Sequence, residues 1–249
     1  MTASEIRQEA RKCLTGKWGK GALATLIFGV ITYIISFVLN LVPMVGSIAA
    51  SIISIPLSFG FTVVMMCKLK RNEDFSYLDF FKAGFDKFVK VWQTTLWIFV
   101  KMLAPIVVAI IGAVIMASGI TMSAAGSSGS VLIILGIIVY LVGIIWTIPR
   151  AYSYRLALYI VNDNPNMLAK EAVEKSAEIM NGHRWAYFWL QCTFIGWAIL
   201  ACFTLGIGMF WLFPYMYVST VAFYDNLIGN KKDESDKDET VAENPIQEN

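Results

Sequence analysis

Histidine and cysteine are scarce in this chain of 249 residues: one His183, and Cys13, Cys67, Cys192 and Cys202 with no Cys-x-x-Cys pairing. A metal ion needs several such side chains at workable spacing, so no metal site is expected, and the cysteines are expected to be free thiols used in packing. The glycine-rich phosphate loop, the serine nucleophile elbow and the His-Glu-x-x-His pattern are absent. Acidic residues are missing from the interior of every long apolar run, which argues against a carboxylate proton relay. No catalytic residue and no cofactor are expected. An enzyme is therefore the weakest functional class.

Charge is the scarcest commodity of all. Only 15% of residues are charged against 57% hydrophobic, and three runs carry no charge: Gly21 to Cys67, Met102 to Pro149 and Trp185 to Tyr224. A soluble domain does not segregate charge over such lengths. The last and shortest run, at about 1.5 Å per helical residue, reaches roughly 60 Å, or two crossings of a hydrocarbon core about 30 Å thick. Each run is too long for one helix and right for two. The expected fold is all-α: a polytopic membrane protein with six transmembrane helices, arranged as three hairpins, and amphipathic cytoplasmic helices. The spans fall at about 22–42, 47–67, 96–119, 131–155, 185–203 and 207–224. All 20 Lys and Arg residues lie before, between or after the three runs. The positive-inside rule makes that face cytoplasmic, so the chain is expected in the cell (cytoplasmic) membrane, multi-pass, with both termini cytoplasmic. The outer turns near 42–46, 120–130 and 204–208 carry no ionisable residue, which disfavours an extracellular receptor or adhesion role.

Three stretches follow in order: an amphipathic helix over 1–20, the membrane domain over 21–230 and an acidic tail over 231–249. Thr2-Ala3-Ser4-Glu5 reads as a capping box, and behind it Ile6, Ala10, Cys13 and Leu14 share one face. Such a helix is suited to lie along the inner leaflet, its basic residues on anionic headgroups. A cleaved signal peptide is rejected because the apolar stretch runs straight into a second span. Ser76 to Asp79 repeats the capping pattern ahead of an aromatic stripe of Tyr77, Phe80, Phe81, Phe85, Phe88 and Trp92, read as interfacial or packed rather than ligand-gripping. Asn164-Pro165 is read as cap and first residue of a third such helix, ended by Gly182. The tail has little apolar surface and is expected to be disordered.

A repeat emerges when the returning spans are aligned on Pro56, Pro149 and Pro214. Phe59, Tyr152 and Tyr217 then correspond, as do Thr62, Arg155 and Thr220. Each hairpin is entered through a glycine: Gly16, Gly84 or Gly182. The unit is helix, glycine, span, turn and proline-bearing span, used three times.

Several of these residues also resemble a known family. Leu14-x-Gly16-x-Trp18, Asp163-Asn164-Pro165, Gly182 before Trp185, Phe194-Ile195-Gly196-Trp197, Thr204-Leu205-Gly206-Ile207-Gly208 and Pro214-Tyr215 are similar to the bacterial integral-membrane family catalogued as domain of unknown function 975. The likeness covers the chain up to about Tyr224. It implies a six-span cytoplasmic-membrane protein with no established activity and no catalytic residues to carry over. A fainter likeness, to the membrane domain attached to some glycerophosphodiester phosphodiesterases, keeps lipid-related roles in view.

Lys101, Arg150 and Arg155 form the candidate ligand site, because all three fall where the apolar spans end. Below the headgroup level they would need an anion: Asp163, Asp225, a lipid phosphate or an anionic solute. The bland alternative is that their side chains snorkel to the interface. Arg155 departs from its repeat counterparts Thr62 and Thr220. Two functions remain open: a membrane protein without catalytic activity that binds lipid or a partner in the cell envelope, or a small transporter of an anionic or amphiphilic solute. The expected partners are the lipid bilayer and anionic lipids, with no nucleic acid.

Overall fold

The charge-free runs fold into helical hairpins, and the charged segments between them gather into shorter helices at one end. The structure is a computed structural model that describes residues 2–42 and 45–243, with side chains through 229. Its helices in chain order are α1 (Ala3–Leu14), α2 (Trp18–Asn40), α3 (Val45–Phe59), α4 (Met66–Arg71), α5 (Asp79–Asp86), α6 (Phe88–Ala124), α7 (Ser130–Ser153), α8 (Ala157–Asp163), α9 (Ala169–Ile179), α10 (Arg184–Phe203) and α11 (Met209–Glu243). A π-helical stretch, Gly60–Met65, joins α3 to α4. The hairpins are α2/α3, α6/α7 and α10/α11. Residues 244–249, and side chains from 230 on, lie outside the description, as do Pro43 and Met44 of the first turn. Of the tail expected to be disordered, 231–243 continue α11 as helix and 244–249 lie outside the described residues.

Among the described residues, five helices are long and apolar enough to cross a membrane: Trp18–Asn40, Val45–Arg71, Phe88–Ala124, Ser130–Asp163 and Arg184–Phe203. The expected span at 207–224 is helical in α11 but is not among them. Tyr215, Tyr217, Ser219 and Thr220 dilute its hydropathy. Its position explains the tolerance, since Val218 through Tyr224 are all buried against protein and have no lipid to satisfy.

The repeat closes into a ring. Helix α5 packs on α3 and the π-helical stretch, and α9 packs on α8, so each sits on the returning segment of the hairpin before it. Helix α1 has no hairpin before it and packs on α11 and α10, the last one. The predicted face of α1 is therefore right but its resting place is not. Ile6, Ala10 and Leu14 are buried in protein rather than laid on a leaflet, because α11, α10 and α4 offer an apolar seat. Its capping box forms as expected, with the Thr2 N–H donating to Glu5 at 2.8 Å.

Two of the glycine doorways work as expected: Gly16 and Gly182 take φ of +77° and +80°, a left-handed exit closed to most side chains. Gly84 differs. It is helical, and a Cβ there would stand 2.4 Å from the Pro56 carbonyl oxygen, so it serves close crossing instead. The aromatic stripe also divides: Phe80 is fully buried, while Phe81, Phe85 and Phe88 stack on one another. Asn164 closes α8 rather than opening the next helix: its backbone N–H and its side-chain amide both donate to the Ile160 carbonyl, at 2.8 and 3.2 Å, and α9 starts only at Ala169.

Prolines inside the helices free carbonyls four residues earlier, and at two of them, Pro56 and Pro105, a side chain supplies the missing donor. Pro56 frees Ile52, whose carbonyl accepts from the Trp92 indole at 3.2 Å. Pro105 frees Lys101, whose carbonyl accepts from Arg150 at 3.0 Å. An apolar bilayer offers no water for this purpose, so the donors must come from neighbouring helices.

Candidate functional site

The three basic candidates divide by what they touch. Arg150 spends its guanidinium on the Lys101 carbonyl and lies over the Trp146 ring, 4.9 Å from its centroid. The Lys101 ammonium is 3.6 Å from Glu174 on α9, with both side chains more than a third exposed. A pair so open to solvent contributes little. Lys101 and Arg150 are thus brought together on neighbouring helices, each with a local partner.

Arg155 is placed differently. Helix α7 ends at Ser153, and the turn into α8 swings Arg155 toward α10, where its Nε donates to the Tyr187 hydroxyl at 3.2 Å. That hydroxyl lies 3.4 Å from Thr220 Oγ1, and the Tyr159 hydroxyl donates to the Thr62 carbonyl at 3.4 Å. Of the three residues equivalent in the repeat, Arg155 and Thr220 therefore meet through Tyr187, while Thr62 offers only its backbone carbonyl, to Tyr159. The aromatic wall is completed by Tyr152, whose ring meets Tyr187 edge-on at 5.5 Å. Among the described residues no carboxylate forms an ion pair with Arg155. Arg155 is exposed, and Tyr187 is its hydrogen-bond partner among the described residues.

Asp163 and Asp225, expected as counter-ions for these cations, pair elsewhere. Arg71 grips Asp163 with two bonds of 2.9 and 2.7 Å and reaches Asp225 at 2.9 Å. Lys70 bridges Asp225 at 3.1 Å and Glu9 at 3.0 Å, and the Asn226 amide donates to Glu9 at 3.0 Å. This network ties α1, α4, α8 and α11 together, and the sequence analysis did not anticipate it. The available signal was positional: Asp163 and Asp225 are the first carboxylates after the second and third runs, and Lys70-Arg71 closes the segment after the first.

Two further groups lie between the hairpins. Asp79 accepts from Lys68 at 2.9 Å and from the Ser76 N–H at 3.2 Å, and these bonds, the Lys68 one first, hold its carboxyl below the usual range. Lys87 donates to the Asn162 carbonyl and side chain at 3.1 and 3.2 Å, while its burial pushes its pKa down. His183 is exposed at the start of α10. Among the described residues no group of His, Cys, Asp or Glu is placed to hold a metal ion, and all four cysteines are free.

An all-helical chain with five helices of membrane-crossing length, whose apolar side chains face outward, is a multi-pass membrane protein. More narrowly, it belongs to the protein family of unknown function DUF975, whose model matches residues 1–231. No curated protein matches it. No solved structure matches it either. Several residues of the resemblance converge where the ring closes: the Trp18 and Phe194 rings meet Tyr215 at 5.8 and 5.1 Å, and a Cβ on Gly21 would touch Pro214 at 3.1 Å. These motifs serve packing.

Proposed function

We propose that this chain is a non-catalytic protein of the cytoplasmic membrane, with six spans and both termini inside, that binds anionic lipid in the cell envelope. The observation carrying the reading is Arg155, a guanidinium at the end of an apolar span whose hydrogen-bond partner is a tyrosine hydroxyl rather than a carboxylate. An intramembrane cation without a protein counter-ion calls for an anion from outside the chain. A lipid phosphate meets that need at the level where α7 leaves the membrane. Lys101 and Arg150 lie on the neighbouring flank and would add positive potential there. Transport of an anionic or amphiphilic solute past the same residue is the second reading. The packing around the Arg155 partner, where Tyr187, Thr220 and Phe223 are buried against one another, supports binding over passage.

Native mass spectrometry from gentle detergent tests this by comparing the wild type with Arg155→Ala. The expected result is one fewer bound anionic lipid in the variant. Identical lipid loads in both proteins would reduce Arg155 to an interfacial side chain, and a small soluble anion in place of lipid would favour the transport reading.

A further inference from the structure

Two apolar grooves flank the third hairpin. Between the returning α7 and the outgoing α10 lies a groove of about 520 Å³, walled by Ile145, Ile148, Pro149, Trp185 and Phe188, with Arg184 in its lining. A second groove, of about 380 Å³, runs between α10 and α11 of the third hairpin, walled by Trp197, Leu200 and Trp211, with Trp18 of α2 and Arg11 of α1 in its lining. The counterpart between α3 and α6 is bridged by the Trp92–Ile52 bond.

An arginine lines each groove, and an orphaned donor lies in the first and next to the second. The Nε of Arg184 is buried and meets no acceptor among the described residues. The same is true of Arg7, which lies one turn from Arg11 on α1 but outside the second groove's lining, while the Arg11 guanidinium lies beside the Tyr215 hydroxyl in that groove. No Asp or Glu lines either groove. A buried guanidinium N–H without an acceptor is costly, and a phosphate oxygen is the acceptor that guanidinium geometry matches best.

We infer that each groove takes one phospholipid of net negative headgroup, its phosphate on the arginine and an acyl chain along the aromatic and aliphatic wall. A choline headgroup would bring its own cation beside a guanidinium that has no carboxylate to balance it. The inference deepens the lipid-binding reading but does not depend on Arg155. The second groove shares no lining residue with the Arg155 cluster, whereas Tyr152 lies in the first groove and also against Tyr187.

The test is native mass spectrometry of the full chain offered phosphatidylglycerol and phosphatidylcholine in equal amounts. The wild type should retain two phosphatidylglycerol molecules beyond any held at Arg155. Arg184→Gln should weaken retention of one about tenfold, Arg11→Gln should weaken the other, and the double variant should lose both. Ile145→Trp fills the first groove without changing charge and should lose the same lipid as Arg184→Gln. Equal retention of the two lipids by the wild type would overturn the inference, and so would wild-type loads in the arginine variants. If Ile145→Trp kept its lipid while Arg184→Gln lost it, the phosphate would sit on Arg184 with no chain in the groove, and the groove site would be refuted. If Arg155→Ala alone changed nothing while the groove variants lost lipid, only the Arg155 reading would fail.

Discussion

The charged end and the α6/α7 arm are joined by opposite means. At the charged end four helices meet through side chains: Glu9, Lys70, Arg71, Asp163 and Asp225 reach across the gaps and join segments far apart in sequence. In the arm the helices meet where side chains are missing. Gly112 and Gly119 on α6 face Tyr140 and Ile133 on α7, while Gly136 and Gly143 on α7 face Met116 and Ala109 on α6. The glycines recur every seven residues on both helices, the period of a left-handed supercoil seam. Lipid tails are as apolar as leucine, so no hydrophobic drive closes a hairpin inside a bilayer. Close backbone approach and dispersion must do it instead. Near the headgroups, where water weakens each ion pair, a linked network is needed in place of isolated pairs.

The sharpest way to break this contrast is at Arg71. Replacing it with Met leaves Asp163 and Asp225 facing each other across three helices, with only Lys70 remaining on Asp225. Breaking a fully buried pair costs several kcal/mol, and here the Arg71 and Asp163 side chains are 32% and 24% exposed. The expected loss is therefore about 2–3 kcal/mol. Unfolding in mixed micelles should show that loss as one cooperative shift, because the network joins the first and last repeats. Asp163→Asn combined with Arg71→Met should recover part of it.

Gly112→Leu addresses the arm alone. A Cβ at Gly112 would stand 2.3 Å from the Tyr140 backbone nitrogen, a contact no rotamer relieves, so the helices must part. The expected cost is about 1–2 kcal/mol, within the range for overpacking, and it should stay local. Amide hydrogen exchange of α6 and α7 around Gly112 and Tyr140 should be slow with Gly112 intact and faster in the leucine variant. The network at the other end should be undisturbed. Unfolding of the whole chain at Gly112→Leu as severe as at Arg71→Met would end the distinction between the two regions.

What the sequence made legible follows the same division. Long charge-free runs and their turns located the hairpins, because the bilayer imposes a length that composition alone reveals. The threefold repeat, aligned on prolines, was also readable, and it placed Thr62, Arg155 and Thr220 in register before any contact was known. The ion-pair network was not readable, since Glu9 and Asp225 lie on the first and last helices and only the closing of the ring brings them together. Arg150 looked like half of a ligand site, yet it answers a carbonyl left open by Pro105 on another helix. The seven-residue glycine spacing was present in the sequence and identifies the α6/α7 seam. It was masked by the uniform apolarity around it, which hides a buried face from hydropathy.

The mildest test returns to the charged end, at a single pair outside the linked network. Asp79 at the start of α5 is joined to Lys68 on α4, and the Ser76 N–H donates to the same carboxylate oxygen. These bonds hold the folded-state pKa below the unfolded one. Their contribution is therefore fully present above the ordinary carboxylate range and is lost as pH falls through the folded value. Both side chains are about 30% exposed, so the effect should be under about 1 kcal/mol. Asp79→Asn should be slightly less stable than the wild type at pH 7, and the gap in thermal unfolding should close as the buffer is brought below pH 4. If the gap kept its size in acid, the pair would contribute through packing of α5 rather than through charge. The charged end would then resemble the arm more closely than its ion pairs imply.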